Sequence, residues 1–243
     1  MRSTWALVRR ALALLMVGAL ALQLFFVARI ACMVLIDPQS TAFQRSEAWR
    51  IASTRGELPW RQQWVALPQI STHLQRAVIA SEDGGFADHA GVDWDAIEQA
   101  WERNQRAQDR ADRRASAAPA RVVGGSTITQ QLAKNLLLSG ERNVWRKAQE
   151  LLLTMALEAF LSKPRILEIY LNSVEWGEGV FGAQAAAQHY FRTDAARLSA
   201  AQAARLAVML PAPKRFERRA GSAYLAGRTS TVLARMSSVE LPH

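Results

Sequence analysis

A chain of 243 residues, half of them hydrophobic, can bury one core of ordinary size, which excludes a disordered or low-complexity protein and argues for a single domain. Its formal charge of +9 suits nucleic acid, anionic lipid or a phosphorylated substrate alike; Arg2, Arg9, Arg10 and Arg29 precede the first acidic residue, Asp37, and taking four from nine leaves +5 on the rest. The single cysteine, Cys32, excludes an intrachain disulfide framework and a cysteine-rich zinc site.

From Ala11 to Ala28 the sequence is apolar except for Gln23, and after Arg29 it stays apolar to Ile36. A helix through both parts can cross a bilayer, since about 20 residues suffice. Arg2, Arg9 and Arg10 keep the N-terminus in the cytoplasm by the positive-inside rule and send the rest across. Arg29 then snorkels to the outer interface. The stretch is long for a signal-peptide core and has no small-residue cleavage site, so it reads as a retained anchor. Cys32 is no lipid-attachment site, because Arg29 stands where such a signal needs an aliphatic residue. Residues 1–36 are thus a cytoplasmic tail and transmembrane anchor. Residues 37–66, which include Gly56 and Pro59 and show no dominant period, read as a linker over the membrane surface, and residues 67–243 as the domain.

Within the domain, Thr72 and Gln75 form a capping-box pair that opens a helix with Leu74, Ala77, Val78 and Ile79 at helical spacing, stopped by Gly84 and Gly85. A second helix runs from Trp94 to about Arg106, and the Arg/Ala/Asp-rich stretch from Gln108 to Arg121 reads as a mobile basic loop. Thr127 and Gln130 open a third helix, ending near Ser139 and Gly140, before a longer apolar one from Asn143 to Ser162. Pro164 suits a helix start. Gly177, Gly179 and Gly182 precede the small-residue segment Ala183 to Phe191, and Ser199 with Gln202 caps a helix closed by Pro211 and Pro213. A last helix spans Ser222 to Ser237. No strand-like alternation follows Ile70 and no internal repeat is present, so a mainly helical fold is expected.

Glu82 and Asp83 end the first of these helices. A carboxylate at the negative end of a helix dipole is made more basic, which suits a general base, although an acidic solvated turn has the same sequence. Gly124, Gly125, Ser126 and Thr127 lead into a helix N-terminus, where free N–H groups attract anions, with Lys134 two turns in. The spacing is not that of a P-loop, so a nucleoside triphosphate site fails and a phosphate or diphosphate remains. Arg142, Arg146, Lys147 and Glu150 follow, and Glu150 abuts the apolar run LLLTMALEAFL. Arg146 and Glu150 have the spacing of a helical ion pair, yet a carboxylate beside so apolar a run tends to be buried among its cations. Two glutamates, a cation cluster and an anion-accepting helix start point to sugar chemistry on a phosphorylated donor. No His-Glu-x-x-His spacing competes.

The strings EDGGFADHAG, GGSTITQQLAKN, RKAQE, RILEIYLNSVEWGEGVFGAQAAAQHYF and LSAAQAARLAVMLPAPKRF resemble, in order, the five motifs of the peptidoglycan glycosyltransferase family, over about Leu67 to Phe216. The resemblance is closest to the monofunctional biosynthetic transglycosylases, since the chain ends soon after the fifth motif. No Ser-x-x-Lys is present to serve a transpeptidase.

That resemblance implies a lysozyme-like helical domain on a single membrane helix, polymerising lipid II, the undecaprenyl-diphosphate-linked disaccharide pentapeptide. It implies Glu82 as the base that deprotonates the acceptor 4-hydroxyl, and inversion at the donor's anomeric carbon. By the same motifs Lys134, Arg142 and Arg146 hold the diphosphate, and Ser126, Gln130 and Gln131 line the cleft. Asp83 and Phe86 support Glu82 at the substrate site. Glu150 is the second acidic residue, serving either in positioning or in coordinating a divalent cation, Mg or Mn. Asn172, Gly177 and Gly182 shape the fold, and the stretch 104–122 matches no motif. The expected partners are lipid II, the growing glycan chain, the membrane and proteins of cell-wall synthesis or division, with no nucleic acid. The expected location is the cell inner membrane, with the catalytic domain in the periplasm. A lysozyme-like hydrolase would use two carboxylates without the cation cluster, and a non-catalytic cell-wall scaffold would have no need of Glu82 or Lys134.

Overall fold

The structure, a computed structural model, describes residues 2–113, 125–138, 144–219 and 221–242. It begins with α1 (Arg2–Cys32), α2 (Ala42–Arg55) and the short strand β1 (Arg61–Gln62). Helices α3 (Thr72–Glu82), α4 (Trp94–Arg113), α5 (Ile128–Leu137), α6 (Val144–Phe160) and α7 (Lys163–Ser173) follow. Strands β2 (Glu175–Gly177) and β3 (Val180–Phe181) lead to α8 (Ala183–Phe191), α9 (Ala200–Met209), α10 (Pro213–Glu217) and α11 (Ala223–Arg235). The fold is mainly α, with one N-terminal apolar helix, Trp5–Cys32, long enough to cross a membrane.

Helix α7 lies at the centre. Ile166, Leu167 and every residue from Ile169 to Ser173 are buried, the burial of a helix covered on most sides. It packs against α5, α6 and α8, while α3 packs on α9 and α11. The shared core includes Leu74 and Val78 of α3, Leu132 and Leu136 of α5, and Tyr170 of α7. Asn172 ties the centre to the segment before α3: its Nδ2 donates to the Val65 carbonyl at 2.9 Å and its Oδ1 accepts from the Val65 N–H at 3.0 Å. This gives Asn172 the fold-shaping place expected of it.

The capping boxes at Thr127/Gln130 and Ser199/Gln202 form as expected, and Pro164 sits in the first turn of α7. The first helix starts differently. Ser71 is the N-cap of α3, its hydroxyl accepting from the His73 N–H, and Gln75 reaches back to the Leu67 and Ile70 carbonyls at 3.1 and 2.8 Å. Helix α4 continues to Arg113, past the expected end at Arg106, so part of the expected basic loop is helical; the rest of the loop lies outside the described residues. Helix α5 closes at Leu137, short of Ser139 and Gly140, which also lie outside them.

The segment read as a linker carries structure. Thr41 and Gln44 form a complete capping box for α2, Gly56 ends it at φ 71°, and α2 packs on α5. Its buried positions are Gln44, Glu47 and Ile51, so two of the three inward residues are polar and no apolar period marks the helix. The expectation of no strands also fails. β1 pairs parallel with β3, and β3 antiparallel with β2, in the order β1-β3-β2. Strands of two or three residues cannot display alternation, and every residue of β2 and β3 is buried. Gly179 makes the close approach possible: at φ +72°, a Cβ there would lie 2.0 Å from the Pro59 carbonyl oxygen.

Candidate active site

Glu82 is the last residue of α3, partly buried, with its carboxylate fixed from two sides. Gln131 of α5 donates from Nε2 to Oε2 at 3.0 Å, and the Ser81 hydroxyl donates to Oε1 at 3.3 Å. Tyr170, fully buried in α7, donates its hydroxyl to Gln131 Oε1 at 3.0 Å, which leaves the amide's NH2 facing Glu82. Burial and the charges of Glu82 and Asp83 push the Tyr170 phenol well above its ordinary pKa, so it remains a donor. Burial also pushes the Glu82 carboxyl above its ordinary value, against the lowering effect of Gln131 and Ser81. A raised carboxylate at a helix C-terminus is the form a general base takes.

A second pole lies at the start of α6. Glu150 is buried, and its two oxygens are taken by Arg146 Nη1 at 2.8 Å and Lys147 Nζ at 2.5 Å. The i,i+4 and i,i+3 spacings put both cations on one side of the helix, over the carboxylate. Helix α5 joins the poles. Gln131 meets Glu82, while its neighbour Gln130 and the exposed Ser126 line a cleft of about 310 Å³ together with Ile97 and Trp101 of α4 and Lys147. Lys134 is exposed on α5, one turn beyond Gln130 and Gln131. Arg142 lies outside the described residues.

Two expected substrate-site residues are turned inward. Asp83 is buried, its Oδ1 bonded to His89 Nε2 at 2.8 Å and its Oδ2 accepting from the Ile128 N–H at 2.9 Å. It thereby ties the end of α3 to the first turn of α5, where a carboxylate also complements the helix dipole. Phe86 is fully buried, with Lys163 Nζ 4.6 Å from its ring centroid. Both side chains point into the fold: Asp83 holds the end of α3 against α5, and Phe86 packs between His89 and Lys163. Sequence reasoning missed Tyr170 and Glu158. The latter accepts from Thr129 Oγ1 at 2.6 Å and Lys163 Nζ at 2.8 Å, but neither residue stands in a polar pattern that would single it out.

The donor set does not fit a divalent cation at Glu150, since two cationic side chains already occupy the carboxylate oxygens. Ligand atoms of Asp83, His89 and Asp93 come within 4.8 Å of one another, but both Asp83 oxygens and both His89 nitrogens are engaged within the fold. The Gly91 N–H donates to His89 Nδ1, so Nε2 carries the proton shared with Asp83, and Asp93 Oδ1 caps the Ala96 N–H.

The family model described as transglycosylase matches residues 51–237, most of the chain. The chain belongs to the transglycosylase family. Its relatives include the biosynthetic peptidoglycan transglycosylase of Burkholderia thailandensis, 56% identical over 92% of this chain and 83% of the relative. The protein of the same name in Paraburkholderia xenovorans is 51% identical over 95% of this chain and 91% of its own length. That of Burkholderia pseudomallei is 54% identical, with 92% and 83% covered. The match begins inside α2, so the family's domain takes in part of the segment that sequence reading set apart as a linker.

Proposed function

We propose that the chain is a peptidoglycan glycosyltransferase of cell-wall synthesis that polymerises lipid II into β-1,4-linked glycan and releases undecaprenyl diphosphate. The observation that carries this reading is the pairing of Glu82, a carboxylate held by Gln131 and made more basic by burial, with the cationic start of α6 fixed by Glu150.

Glu82 takes the proton of the acceptor's GlcNAc 4-hydroxyl. The freed oxygen bonds to the anomeric carbon of the donor's MurNAc from the face opposite the diphosphate, the bond from that carbon to the diphosphate oxygen breaks, and α becomes β. The leaving diphosphate keeps the bonding electrons, so fixed cations stabilise the charge that develops there. Lys134, Arg142 and Arg146 supply that charge, Ser126 and Gln130 line the approach, and Glu150 holds Arg146 and Lys147 in place. The apolar helix serves as a single-pass anchor in the inner membrane with the catalytic domain in the periplasm, which keeps the enzyme on the surface that confines its polyprenyl substrate.

Incubation of the purified full chain with labelled lipid II tests the reading. Long glycan is the expected product. Cleavage of lipid II to a free disaccharide without polymer would make the chain a hydrolase, and an untouched substrate would make it a scaffold.

A further inference from the structure

We propose that α1 is part of the catalytic framework as well as an anchor: an amide pair between Gln23 of α1 and Gln149 of α6, inside the outer leaflet, seats the start of α6 and so sets Arg146, Lys147 and Glu150 at the membrane surface. The proposal rests on the glycosyltransferase reading above and assigns that site two positioning residues.

Gln23 is the sole polar residue between Ala11 and Ala28. A lone amide in hydrocarbon is costly unless it finds a partner. Here the partner is complete. Gln23 Nε2 donates to Gln149 Oε1 at 2.8 Å, and Gln149 Nε2 donates back to Gln23 Oε1 at 2.9 Å. Gln23, Phe26, Val27, Arg29 and Ile30 are the covered positions from residue 21 to residue 30; all but Arg29 fall at i, i+3, i+4 and i+7, so one stripe of the helix faces the domain. Ile30 is fully buried in the core, and Gln23 lies seven residues before it, about 10 Å deeper along the axis. The upper end is clamped separately: Arg165 of α7 donates from Nε to the Met33 carbonyl at 2.8 Å and pairs with Asp37 at 2.7 Å. Contact at two heights prevents α1 from pivoting against the domain.

On α6, Trp145, Gln149 and Leu152 fall at i, i+4 and i+7, with Met155 at i+10. Trp145 is 85% exposed, and Leu152 and Met155 are also exposed. An apolar stripe this open, joined by its one amide to the membrane helix, meets outer-leaflet acyl chains. Gln149 adjoins Glu150 and lies within one turn of Arg146 and Lys147, so the depth at which the amides pair sets the height of the cations that face a membrane-bound diphosphate.

The test compares the full chain with Gln23→Leu, Gln149→Leu and the double variant in phospholipid vesicles. Each is assayed on long-chain lipid II held in the bilayer and on a water-soluble short-prenyl analogue, with melting temperature recorded. The expected result is a ratio of bilayer to soluble turnover that falls about tenfold in Gln23→Leu, with the double variant no worse than either single one, because misplacement remote from the chemistry has effects of at least this size. An unchanged ratio, whether both activities fall together or neither does, overturns the proposal. A parent chain that turns over neither substrate fails the glycosyltransferase reading instead. The pairing is then judged by cross-linking Gln23→Cys to Gln149→Cys in a Cys32→Ser background with a short bifunctional thiol reagent, and no cross-link in vesicles counts against it.

Discussion

At Glu82 the base is defined by three residues from three helices. Gln131 lowers its proton affinity by donating to it, burial raises it more, and Tyr170 decides which end of the Gln131 amide points inward. Glu82→Gln should cut polymerisation by ~100-fold or more with the fold intact, as removal of a general base does. Because the base works deprotonated and its pKa is raised, the acid limb of the rate profile should lie above the usual carboxylate range. Tyr170→Phe releases the amide and removes a donor that favours the charged form, so that limb should move further up in pH; a limb that stays put would detach Tyr170 from the base. Lys134 does different work. Lys134→Ala should slow transfer by ~100-fold at every pH, Lys134→Arg should keep part of the rate because charge persists with altered geometry, and the acid limb should not move in either. If both variants match the parent, the diphosphate is held by Arg142 and Arg146 without Lys134. Glu82 and Lys134 stand out as candidates in the sequence because each lies in a short motif with its own local logic. The inward turn of Asp83 and Phe86 does not, since it depends on what α5 and Lys163 bring to them from elsewhere in the chain.

Among the elements, the junction of α2, β2 and α10 buries a carboxylate among shared cations. Glu175 is buried in β2, near Lys214 of α10 at 3.2 Å, but Lys214 also pairs with Glu47 of α2, which Arg50 holds as well. Burial wins and pushes the Glu175 carboxyl to about 7. Since the folded state holds this proton more tightly than the unfolded state, stability present at low pH is lost as pH rises from about 4.5 through about 7. Glu175→Gln removes the ionisation, so its stability should be flatter across that window and exceed the parent's at pH 8 by on the order of 2 kcal/mol, as read from denaturant unfolding. Equal pH dependence in the two proteins would place the titrating group elsewhere. Helix α2 and the three strands show where element reading fails. The inward face of α2 is Gln44, Glu47 and Ile51, and Gln44 is buried because its amide reaches the Ser173 carbonyl at 3.4 Å, a partner 129 residues away.

For the molecule as a whole, the expected topology places Met1 in the cytoplasm and His243 outside. A reporter fused after His243 should be active only on the outer side of the inner membrane, and protease added to spheroplasts should reach the domain; protection would reverse the orientation. The sequence by itself determined the helical class, the apolar span, two of the capping boxes and the order of motifs that marks the family, because each depends on residues within a few positions of one another: a period, a cap or a run. Only the tertiary structure decided that Tyr170 orients Gln131, that Asp83 accepts from the Ile128 N–H of α5, and that Gln23 meets Gln149 across 126 residues. Such contacts are chosen by which helix faces pack together. A buried polar atom must find a partner wherever packing puts one, and no local pattern in the chain records where that will be.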